Sequence, residues 1–173
     1  MNKSEFEESY DDIEDELDGL KAAVLQTPVS EIMAADPLVV EADATVVTAV
    51  DAMNGHHTGC VLVKKNGNLV GIFTERDVLR KVIFHDGNRQ WKVDSVMTRN
   101  PETLPPTASI AYALNKMSVD GYRHIPIVDK SGNAIGVLSV KDIVNFLVEF
   151  FPHDVLNLPH HPFKAIPRTM DGG

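Results

Sequence analysis

Two short segments of the chain combine residue types that could hold an anion and a sugar. Both read Gly-φ-φ-[Ser/Thr]-x-x-Asp, where φ is apolar, and they lie 65 residues apart. In each segment a hydroxyl, that of Thr74 or Ser139, opens a predicted helix whose free backbone N–H groups favour a negative charge. A carboxylate, Asp77 or Asp142, follows three residues later and can accept hydrogen bonds from both hydroxyls of a ribose. The signature therefore predicts a site for a phosphate and a vicinal diol.

The same four residues also have a purely structural interpretation. Thr74 and Ser139 are good helix N-caps, because a hydroxyl oxygen can accept a hydrogen bond from a backbone N–H of the first turn. Asp77 and Asp142 would then be first-turn acids that complement the helix dipole. An isolated signature would favour this structural interpretation, so the rest of the chain must decide between the two.

The signature belongs to a longer internal repeat, which is the first pattern to test in any sequence. Residues of identical type coincide at an offset of 64, and then at 65 after one inserted residue between Met117 and His124. The matches run in order through both copies, so the duplication predicts two similar folding units. The matched pairs are Met33 with Met97, Pro37 with Pro101, Ala44 with Ala108, Ala49 with Ala113, Met53 with Met117, Val63 with Val128, Gly67 with Gly132, Asn68 with Asn133, Gly71 with Gly136, and Asp77 with Asp142.

Each copy predicts the same order of elements, β-α-β-β-α. A short apolar strand at residues 38–40 precedes a segment with apolar residues at helical spacing. The expected N-caps of this helix are Asp43 in the first copy and Thr107 in the second. An Asn-Gly pair at 66–67 and a Ser-Gly pair at 131–132 separate apolar runs and predict β-hairpins. A second helix follows each signature.

The fold class that follows is mixed α+β, with two β-α-β-β-α repeats packed with pseudo-twofold symmetry. A unit of about 55 residues buries little apolar surface alone, so the copies are expected to stack and share one core. The predicted domains are an acidic N-terminal arm (1–27), the two repeats (28–86 and 92–151) and an extended, proline-rich tail (152–173).

With these motifs the chain resembles a CBS domain pair, the module named after cystathionine β-synthase, in its stand-alone bacterial form. Similar pairs occur in inosine monophosphate dehydrogenase and in the γ subunit of AMP-activated kinase. The resemblance covers residues 28–150. It rests on the Met-x-x-x-Pro motif that opens each copy, the glycine turn of each hairpin and the signature. Two signatures in register within a tandem repeat are far more specific than one.

The resemblance implies a regulatory module without catalysis that needs no cofactor and binds AMP, ADP, ATP or S-adenosylmethionine as a regulatory ligand. Each cleft would combine the signature of one copy with the opening loop of the other, hereafter the leading loop (residues 33–38 and 97–102). The expected main cleft comprises Met33, Pro37, Leu38, Gly59, Cys60, Arg123, His124, Ser139 and Asp142. The expected second cleft comprises His57, Thr74, Asp77, Met97, Pro101, Glu102 and Tyr122.

Arg123 and His124 determine the expected ranking of the two clefts. The resemblance implies that basic residues just before the central strand reach the phosphates, and the arginine fork donates two charge-assisted hydrogen bonds. The first copy lacks both basic residues at the equivalent positions. We therefore expect the main cleft to bind more tightly, with His57 or Lys81 as weaker substitutes in the second cleft. The alternatives are a surface ion pair for Arg123 and an ordinary hydrogen-bonded histidine for His124.

Charge and composition exclude several classes of protein. The net charge is −9, and the first 20 residues hold nine acidic side chains and one basic one. The rest of the chain is nearly neutral, which gives no support for nucleic-acid binding. No apolar run reaches the ~18 residues of a membrane helix, and a secretory signal pattern is absent. We therefore expect a cytoplasmic protein without membrane contact. The single cysteine, Cys60, is expected to be a small buried hydrophobe.

The last predicted helix, from Asp142 to Phe151, carries more apolar surface than one core needs, which favours a homodimer. Its apolar residues are Ile143, Val144, Phe146, Leu147, Val148, Phe150 and Phe151. A sensor also implies a further protein partner, which the sequence does not identify. The alternative function is a structural or protein-interaction dimer with empty clefts. An enzyme is disfavoured because no catalytic constellation stands out, and the histidines of the tail lack the further ligands of a metal site.

Overall fold

The computed structural model describes residues 17–85 and 90–149. The first 16 residues of the predicted acidic arm, the predicted tail 152–173, and Phe150 and Phe151 lie outside the described residues. The described chain begins in a helix, α1, over residues 17–26. None of the helices in the described ranges has the length and hydropathy needed to cross a membrane.

Both repeats follow the predicted mixture of helices and strands. The first repeat contains β1 (Ala34–Ala35), β2 (Val39–Glu41), α2 (Val46–Gly55), β3 (Cys60–Lys65), β4 (Asn68–Thr74), α3 (Glu75–Asp77) and a π-helix (Val78–Val82). The second contains α4 (Val93–Val96), β5 (Thr98–Arg99), α5 (Ile110–Asp120), β6 (His124–Val128), β7 (Ala134–Ser139) and α6 (Val140–Val148). The α+β fold class is confirmed.

The two sheets exchange their shortest strands. One sheet has the order β2-β3-β4-β5, and the other has the order β1-β7-β6. Strand β5 is part of the second repeat yet pairs with β4 of the first, while β1 of the first repeat pairs with β7 of the second. Each leading loop is therefore held against the opposite repeat by a two-residue antiparallel ladder. This reciprocal exchange is what pseudo-twofold symmetry requires.

The strand of the second repeat that corresponds to β2 is reduced to one β-bridge. Leu104 pairs with Ile127 in parallel, and its N–H and C=O bond to Pro126 and Val128 of β6. Pro105 follows directly, and a proline has no N–H with which to continue a ladder. The predicted order β-α-β-β-α is thus complete in the first repeat and shortened in the second.

Both predicted hairpins are confirmed. Asn66 and Gly67 join β3 to β4 with φ values of 52° and 81°, the left-handed pair that a type I′ turn requires. The loop between β6 and β7 is longer and contains Gly132 at φ 83°. Asp129 closes that loop, because its Oδ1 accepts hydrogen bonds from the N–H groups of Ser131 and Asn133.

The predicted N-caps of α2 and α5 are wrong by two residues. Thr45 caps α2 and Ser109 caps α5, in place of Asp43 and Thr107. Each hydroxyl oxygen accepts a bond from the N–H three residues on. Thr45 and Ser109 are also β-bridge partners of Lys92 and Pro28, and this pairing keeps the chain extended up to the cap. The helices therefore cannot begin earlier.

The described residues form two hydrophobic cores, one beneath the main helix of each repeat, which corrects the expectation of one shared core. Each core also includes residues of the opposite repeat, Val93 and Val96 in the first core and Val29 in the second. The first core lies under α2 and includes Val61 and Phe73, and the second lies under α5 and α6 and includes Ile125. Alternate residues of β3 point to opposite faces, so Leu62 faces away from Val61. A third apolar cluster, formed by Cys60, Leu62, Ile72 and Val137 with Val39, Leu69 and Ala134, joins the two sheets.

The helical segments after the two signatures differ. The first is split into three α-helical residues and the π-helix Val78–Val82, whereas α6 continues as an α-helix to Val148. A π-helix is rare and often occurs at functional sites. Nothing in the sequence pattern predicted it.

Candidate functional site

The signature glycines allow the leading loops to approach the opposite repeat. A Cβ on Gly136 would lie 2.6 Å from Met33 Sδ and 2.9 Å from the Ala34 carbonyl oxygen. A Cβ on Gly71 would overlap the Met97 side chain, with Cγ at 2.9 Å. Met33 is thereby placed beside the strand that leads to Ser139, and Met97 beside the strand that leads to Thr74. Each leading loop faces the signature of the other copy.

Both signatures form a complete capping box. The Asp77 Oδ2 atom accepts hydrogen bonds from the Thr74 N–H and hydroxyl, at 3.0 and 2.8 Å. The Asp142 Oδ2 atom accepts the same two bonds from Ser139, both at 2.7 Å. The structural interpretation of these residues is therefore confirmed. The boxes also fix both carboxylates at the starts of their helices, where one oxygen of each, Oδ1, faces away from the cap.

A cavity of about 350 Å³ opens between the repeats at Asp77. Its size lies within the range of small-molecule sites, which is roughly 300–1,000 Å³. The wall combines the signature of the first repeat with the leading loop of the second and the segment before β6. The lining residues are Gly59, Ile72, Thr74, Glu75, Arg76, Asp77, Arg80, Lys81, Thr98, Arg99, Asn100, Pro101, Glu102, Asp120, Gly121, Tyr122, Arg123 and His124. We call this cavity the Asp77 cleft.

Arg123 and His124 line the Asp77 cleft, which differs from their sequence-based grouping with Asp142. The reason is the antiparallel arrangement of the repeats, which brings the start of β6 over the start of α3. Arg76 fixes this arrangement, because its Nη1 donates a 2.9 Å hydrogen bond to the Gly121 carbonyl. A repeat thus contributes its carboxylate to one cleft and the residues before its central strand to the other.

Gly59 and Cys60 lie where the two clefts meet. A Cβ on Gly59 would lie 3.2 Å from His124 Cε1, and Gly59 lines the Asp77 cleft. Burial raises the pKa of the Cys60 thiol to about 12, with smaller contributions from the charges of Asp142 and Glu75. The thiol is therefore protonated at neutral pH, and the expectation of a small buried hydrophobe is confirmed.

The Asp77 cleft is lined by five cationic side chains and four carboxylates. Arg99 is paired with Asp94 at 2.8 Å. The guanidinium groups of Arg80 and Arg123 make no ion pair or hydrogen bond with the residues that the structure describes. These two exposed groups are free to bind an anion. The full cationic set is Arg76, Arg80, Lys81, Arg99 and Arg123.

Asp77 is the only buried charged residue in the described ranges, at 7% exposure. Its Oδ1 atom pairs with Lys81 Nζ at 2.6 Å and accepts a 3.3 Å hydrogen bond from the Thr98 hydroxyl. Thr98 belongs to β5, so the carboxylate is linked to the leading loop of the second repeat. Burial of a carboxylate is costly unless it is paired and hydrogen-bonded, and all these contacts offset that cost.

The cleft at Asp142 is far less charged at equivalent positions. Asp142 is half-buried, and its Oδ1 atom receives no hydrogen bond from the described residues. Of the five cations of the Asp77 cleft, only Arg76 has a charged counterpart, Lys141. The other counterparts are Asn145 for Arg80, Phe146 for Lys81, Ala35 for Arg99 and Thr58 for Arg123.

His124 lies beside Gly59, close to the junction of the clefts. Burial lowers its pKa from the ordinary value of 6.5, and the positive charge of Arg123 lowers it further, while Glu75 and Asp142 raise it. The imidazole is therefore neutral at pH 7. A bound dianion would oppose the effect of Arg123 and favour the protonated form.

The remaining predicted residues fall into two groups. Glu102 and Tyr122 line the Asp77 cleft as expected, and Glu102 is held by Lys116 at 2.9 Å. This hydrogen bond raises the pKa of Lys116. His57 is exposed, with φ 51°, at the end of α2. It is the counterpart of Tyr122, so the symmetry of the repeats places it toward Asp142 and away from Asp77.

Two residues of the first leading loop, Pro37 and Leu38, are half-buried at the Asp142 side of the first repeat. The Leu38 carbonyl accepts a hydrogen bond from the Leu62 N–H at 2.8 Å, which ties the end of this loop to its own sheet. The leading loop thus begins against the second repeat at Met33 and returns to the first at Leu38.

Three cationic residues of the Asp77 cleft escaped the sequence interpretation: Arg76, Arg80 and Arg99. For two of these three residues, the sequence contained a feature that indicated a position in the cleft. Arg80 lies one helical turn after Asp77, and Arg99 lies two residues before Pro101 in a loop already expected at this cleft. The described residues contain no cluster of three or more histidine, cysteine or acidic side chains that could hold a metal ion.

Comparison with known proteins gives a consistent result. The CBS domain family matches the chain twice, over residues 29–83 and 93–149. The mitochondrial CBS domain-containing protein CBSX3 of Arabidopsis thaliana is 37% identical over 112 residues, which are 61% of this chain and 54% of that protein. The chain therefore spans about half the length of this relative.

Solved structures agree with the observed fold. A putative signal-transduction protein with CBS domains from Burkholderia ambifaria matches with a TM-score of 0.67 and 27% identity, over 71% of this chain and 95% of that one. The CBS domain pair of protein MJ0100, solved in complex with 5′-methylthioadenosine and S-adenosyl-L-methionine, matches with a TM-score of 0.65 over 70% of this chain and 99% of that one. At 23% identity the latter likeness shows the fold alone.

Proposed function

Since the chain belongs to the CBS domain family, we propose that it is a regulatory module that binds an adenine nucleotide between its repeats and performs no catalysis. The observation that carries this proposal is the Asp77 cleft, a cavity of about 350 Å³ with a buried carboxylate and two unpaired guanidinium groups. Such a site combines an acceptor for hydroxyls with donors for phosphate. It supplies both polar contacts that a nucleotide needs.

Each part of the nucleotide has a complementary part of the cleft. The ribose hydroxyls would donate to Asp77, as ribose does to acidic residues in other nucleotide sites. The phosphate would lie between Arg80 and Arg123, whose planar forks match phosphate oxygens. The base would lie against the apolar surface of Ile72 and Pro101, both of which line the cavity.

The Asp77 cleft replaces the Asp142 cleft as the proposed main site for phosphorylated ligands. The expected ranking depended on Arg123 and His124, and both side chains line the Asp77 cleft. Coulomb attraction to a phosphate grows with each nearby cation. The cleft also holds four carboxylates, but Arg80 and Arg123 make no ion pair with the described residues, and their counterparts Asn145 and Thr58 are uncharged. A phosphate should therefore select the Asp77 cleft.

We propose a different ligand preference for the cleft at Asp142. Its carboxylate retains an unused oxygen that could accept ribose hydroxyls. The counterparts of Lys81 and Glu102 are Phe146 and Leu38, so its surroundings are more apolar. These features suit an adenosine derivative without phosphate, such as S-adenosylmethionine. The CBS domain pair of MJ0100, which has the same fold, was solved in complex with two ligands of that class.

The regulatory part of the proposal requires a partner that responds to ligand binding. We propose a homodimer as the first such assembly, because apolar side chains are exposed in and just after the π-helix of the first repeat and in α6 of the second. Leu79, Ile83 and Phe84 are 58, 49 and 81% exposed, and Val144, the counterpart of Leu79, is 49% exposed. Contiguous exposed apolar residues of this kind mark protein interaction surfaces.

Calorimetric titration tests the proposal with AMP, ADP, ATP and S-adenosylmethionine on the native chain, Arg123→Ala and Lys130→Ala. Lys130 is exposed in the β6–β7 loop and serves as a charge-matched control outside the cleft. We expect the phosphorylated ligands to bind, with affinity reduced about tenfold in Arg123→Ala. Lys130→Ala should bind as the native chain does.

Thermal unfolding gives an independent readout of the same binding. A ligand at 100 times its dissociation constant adds about 2.7 kcal/mol of stability. Absence of heat and of stabilisation with all four compounds at millimolar concentration would reject the nucleotide proposal. It would instead favour an interaction module whose clefts stay empty.

A further inference from the structure

The carboxylate of Asp77 has no spare acceptor site. Its Oδ2 atom accepts two hydrogen bonds from Thr74, and its Oδ1 atom accepts one from Thr98 and one from Lys81. A carboxylate offers about four lone-pair sites in total. A hydroxyl from a ligand can therefore bind Asp77 only if one of these protein donors leaves.

Lys81 is equally saturated. An ammonium group carries three donors, and Nζ contacts Asp77 Oδ1 at 2.6 Å, the Val96 carbonyl at 2.8 Å and the Met97 carbonyl at 3.4 Å. Val96 ends α4, and Met97 begins the leading loop of the second repeat. One side chain thus links the buried carboxylate of the first repeat to the backbone of the second.

Lys81 is the only charged donor to Asp77 among the described residues, and it is therefore the donor whose release an anionic ligand can compensate. The Thr74 bonds are local and belong to the capping box that starts the helix. The Lys81 side chain is 40% exposed, so water or an anion can solvate its ammonium group when it leaves. It also lies in the π-helix Val78–Val82, the segment in which the first repeat departs from the regular helix of the second.

The second repeat has neither the lysine nor the threonine that contact the carboxylate in the first. Phe146 stands at the position of Lys81, and Ala34 stands at the position of Thr98. Asp142 correspondingly accepts hydrogen bonds from Ser139 alone among the described residues. Its acceptor site on Oδ1 is available without any rearrangement.

We propose that Lys81 is an internal counter-ion that a ligand must displace from Asp77, and that displacement makes the cleft selective for phosphorylated ligands. This inference rests on the proposed function. The ribose hydroxyls replace Lys81 as donors to Asp77, and the released ammonium pairs with the phosphate. A ligand without phosphate must break the same ion pair, and it leaves the ammonium group with water as its only new partner. Release of Lys81 also frees the Val96 and Met97 carbonyls, so binding alters the contact between the repeats.

The test compares adenosine and AMP by calorimetry on the full-length native chain, Lys81→Met and Lys130→Met. Methionine keeps the length of the lysine stem and removes its charge. Lys81→Met should bind adenosine more tightly and should lower the ratio of the adenosine to the AMP dissociation constant by about tenfold. Lys130→Met is the matched control, because it makes the same substitution at an exposed lysine outside the cleft and should leave that ratio unchanged.

The possible results separate this inference from the proposal on which it rests. If the native chain binds neither AMP nor ADP nor ATP, the proposed function is rejected and Lys81 has no ligand to control. If AMP binds and Lys81→Met leaves the ratio at its native value, the displacement idea alone is rejected. Loss of both ligands in Lys81→Met and in Lys81→Gln, with a native melting curve, would instead assign Lys81 a purely positional role.

Discussion

The two clefts are built on the same backbone and differ in their charges. Both contain the capping box, the signature glycine and the methionine of the opposite leading loop. Asp77 is nevertheless buried and fully bonded, whereas Asp142 is half-buried and has an unused oxygen. The backbone features are needed for the fold of either repeat. The side chains that point into the clefts are free to diverge, and there the repeats have acquired different chemistry.

The comparison also shows why a repeat cannot be interpreted alone. The Asp77 cleft takes its carboxylate from the first copy and its leading loop, with Arg99 and Arg123, from the second. A substitution in one repeat can therefore alter the cleft that contains the carboxylate of the other repeat. Arg123, which belongs to the second copy, stands in the cleft of the first.

The largest expected difference concerns removal of each carboxylate. Asp77→Ala should weaken AMP binding by about thirtyfold, or about 2 kcal/mol, because the ribose loses a charged acceptor. Asp142→Ala should change AMP affinity by less than about threefold, because Asp142 does not line the Asp77 cleft. Isothermal titration of both variants measures the difference.

The two aspartate variants are controls for each other. Each loses one capping box, at a cost of about 1 kcal/mol of unfolding free energy. Similar denaturation curves would show that differences in binding do not arise from folding. Equal loss of AMP affinity in both would contradict the assignment of phosphate to the Asp77 cleft.

The next comparison concerns the signature glycines. Gly136→Ala should lower the free energy of unfolding by about 2 kcal/mol, because the new methyl meets the Ala34 backbone oxygen in the β1–β7 ladder. Gly71→Ala should cost about 1 kcal/mol, because only the flexible Met97 side chain must move. Urea denaturation of the two variants gives the order, and a reversed order would show that the Met97 packing is the stiffer one.

The smallest expected effect is a pH dependence specific to the second repeat, since the counterpart of His124 is Gly59. Burial and Arg123 lower the pKa of His124 below its ordinary value of 6.5. Below about pH 6.5 the unfolded chain therefore binds more protons than the folded chain, and stability is lost as the pH falls. Above that pH both states are neutral at this site, and the penalty disappears.

His124→Gln removes this penalty and keeps a polar side chain of similar size. Its stability relative to the native chain should rise when denaturation is measured at about pH 5.5 rather than about pH 7.5. Because all other titrating groups are shared, the difference between the two chains isolates His124. A saturating phosphorylated ligand should reduce the effect, since a nearby dianion favours the protonated imidazole. If the difference in unfolding free energy between the two chains were the same at both pH values, His124 would not titrate in this range.

Much of the fold was predictable because its determinants are local. The Asn-Gly turn at 66–67 requires left-handed backbone, and the structure has it there. The duplication predicted two units of the same class, and the family match confirms the resemblance. Errors arose where long-range pairing overrides a local preference, as when the bridges at Thr45 and Ser109 delay the starts of α2 and α5.

The candidate site was predictable in part. The carboxylates and hydroxyls of the signature lie where a local motif places them, at the starts of two helices. The placement of Arg123 depends on which repeat it faces, and that orientation is determined by packing between the sheets. The pairing of Lys81 with Asp77 follows a four-residue helical spacing. Its contact with the carbonyl of Val96, 15 residues later, has no counterpart in the sequence pattern.

The repeat, the hairpins, the residues of the capping boxes and the residue types able to bind an anion and a diol can all be recognised in the amino-acid sequence. These follow from interactions that span a few residues, so their signals lie next to each other in the chain. The folded molecule was needed to show which residues share a cleft, how β1 and β5 cross to the opposite sheet, and that Asp77 is already paired with Lys81. Those features depend on the relative orientation of two similar units, which arises from packing of the apolar cluster between their sheets and from two-residue ladders too short to leave a pattern.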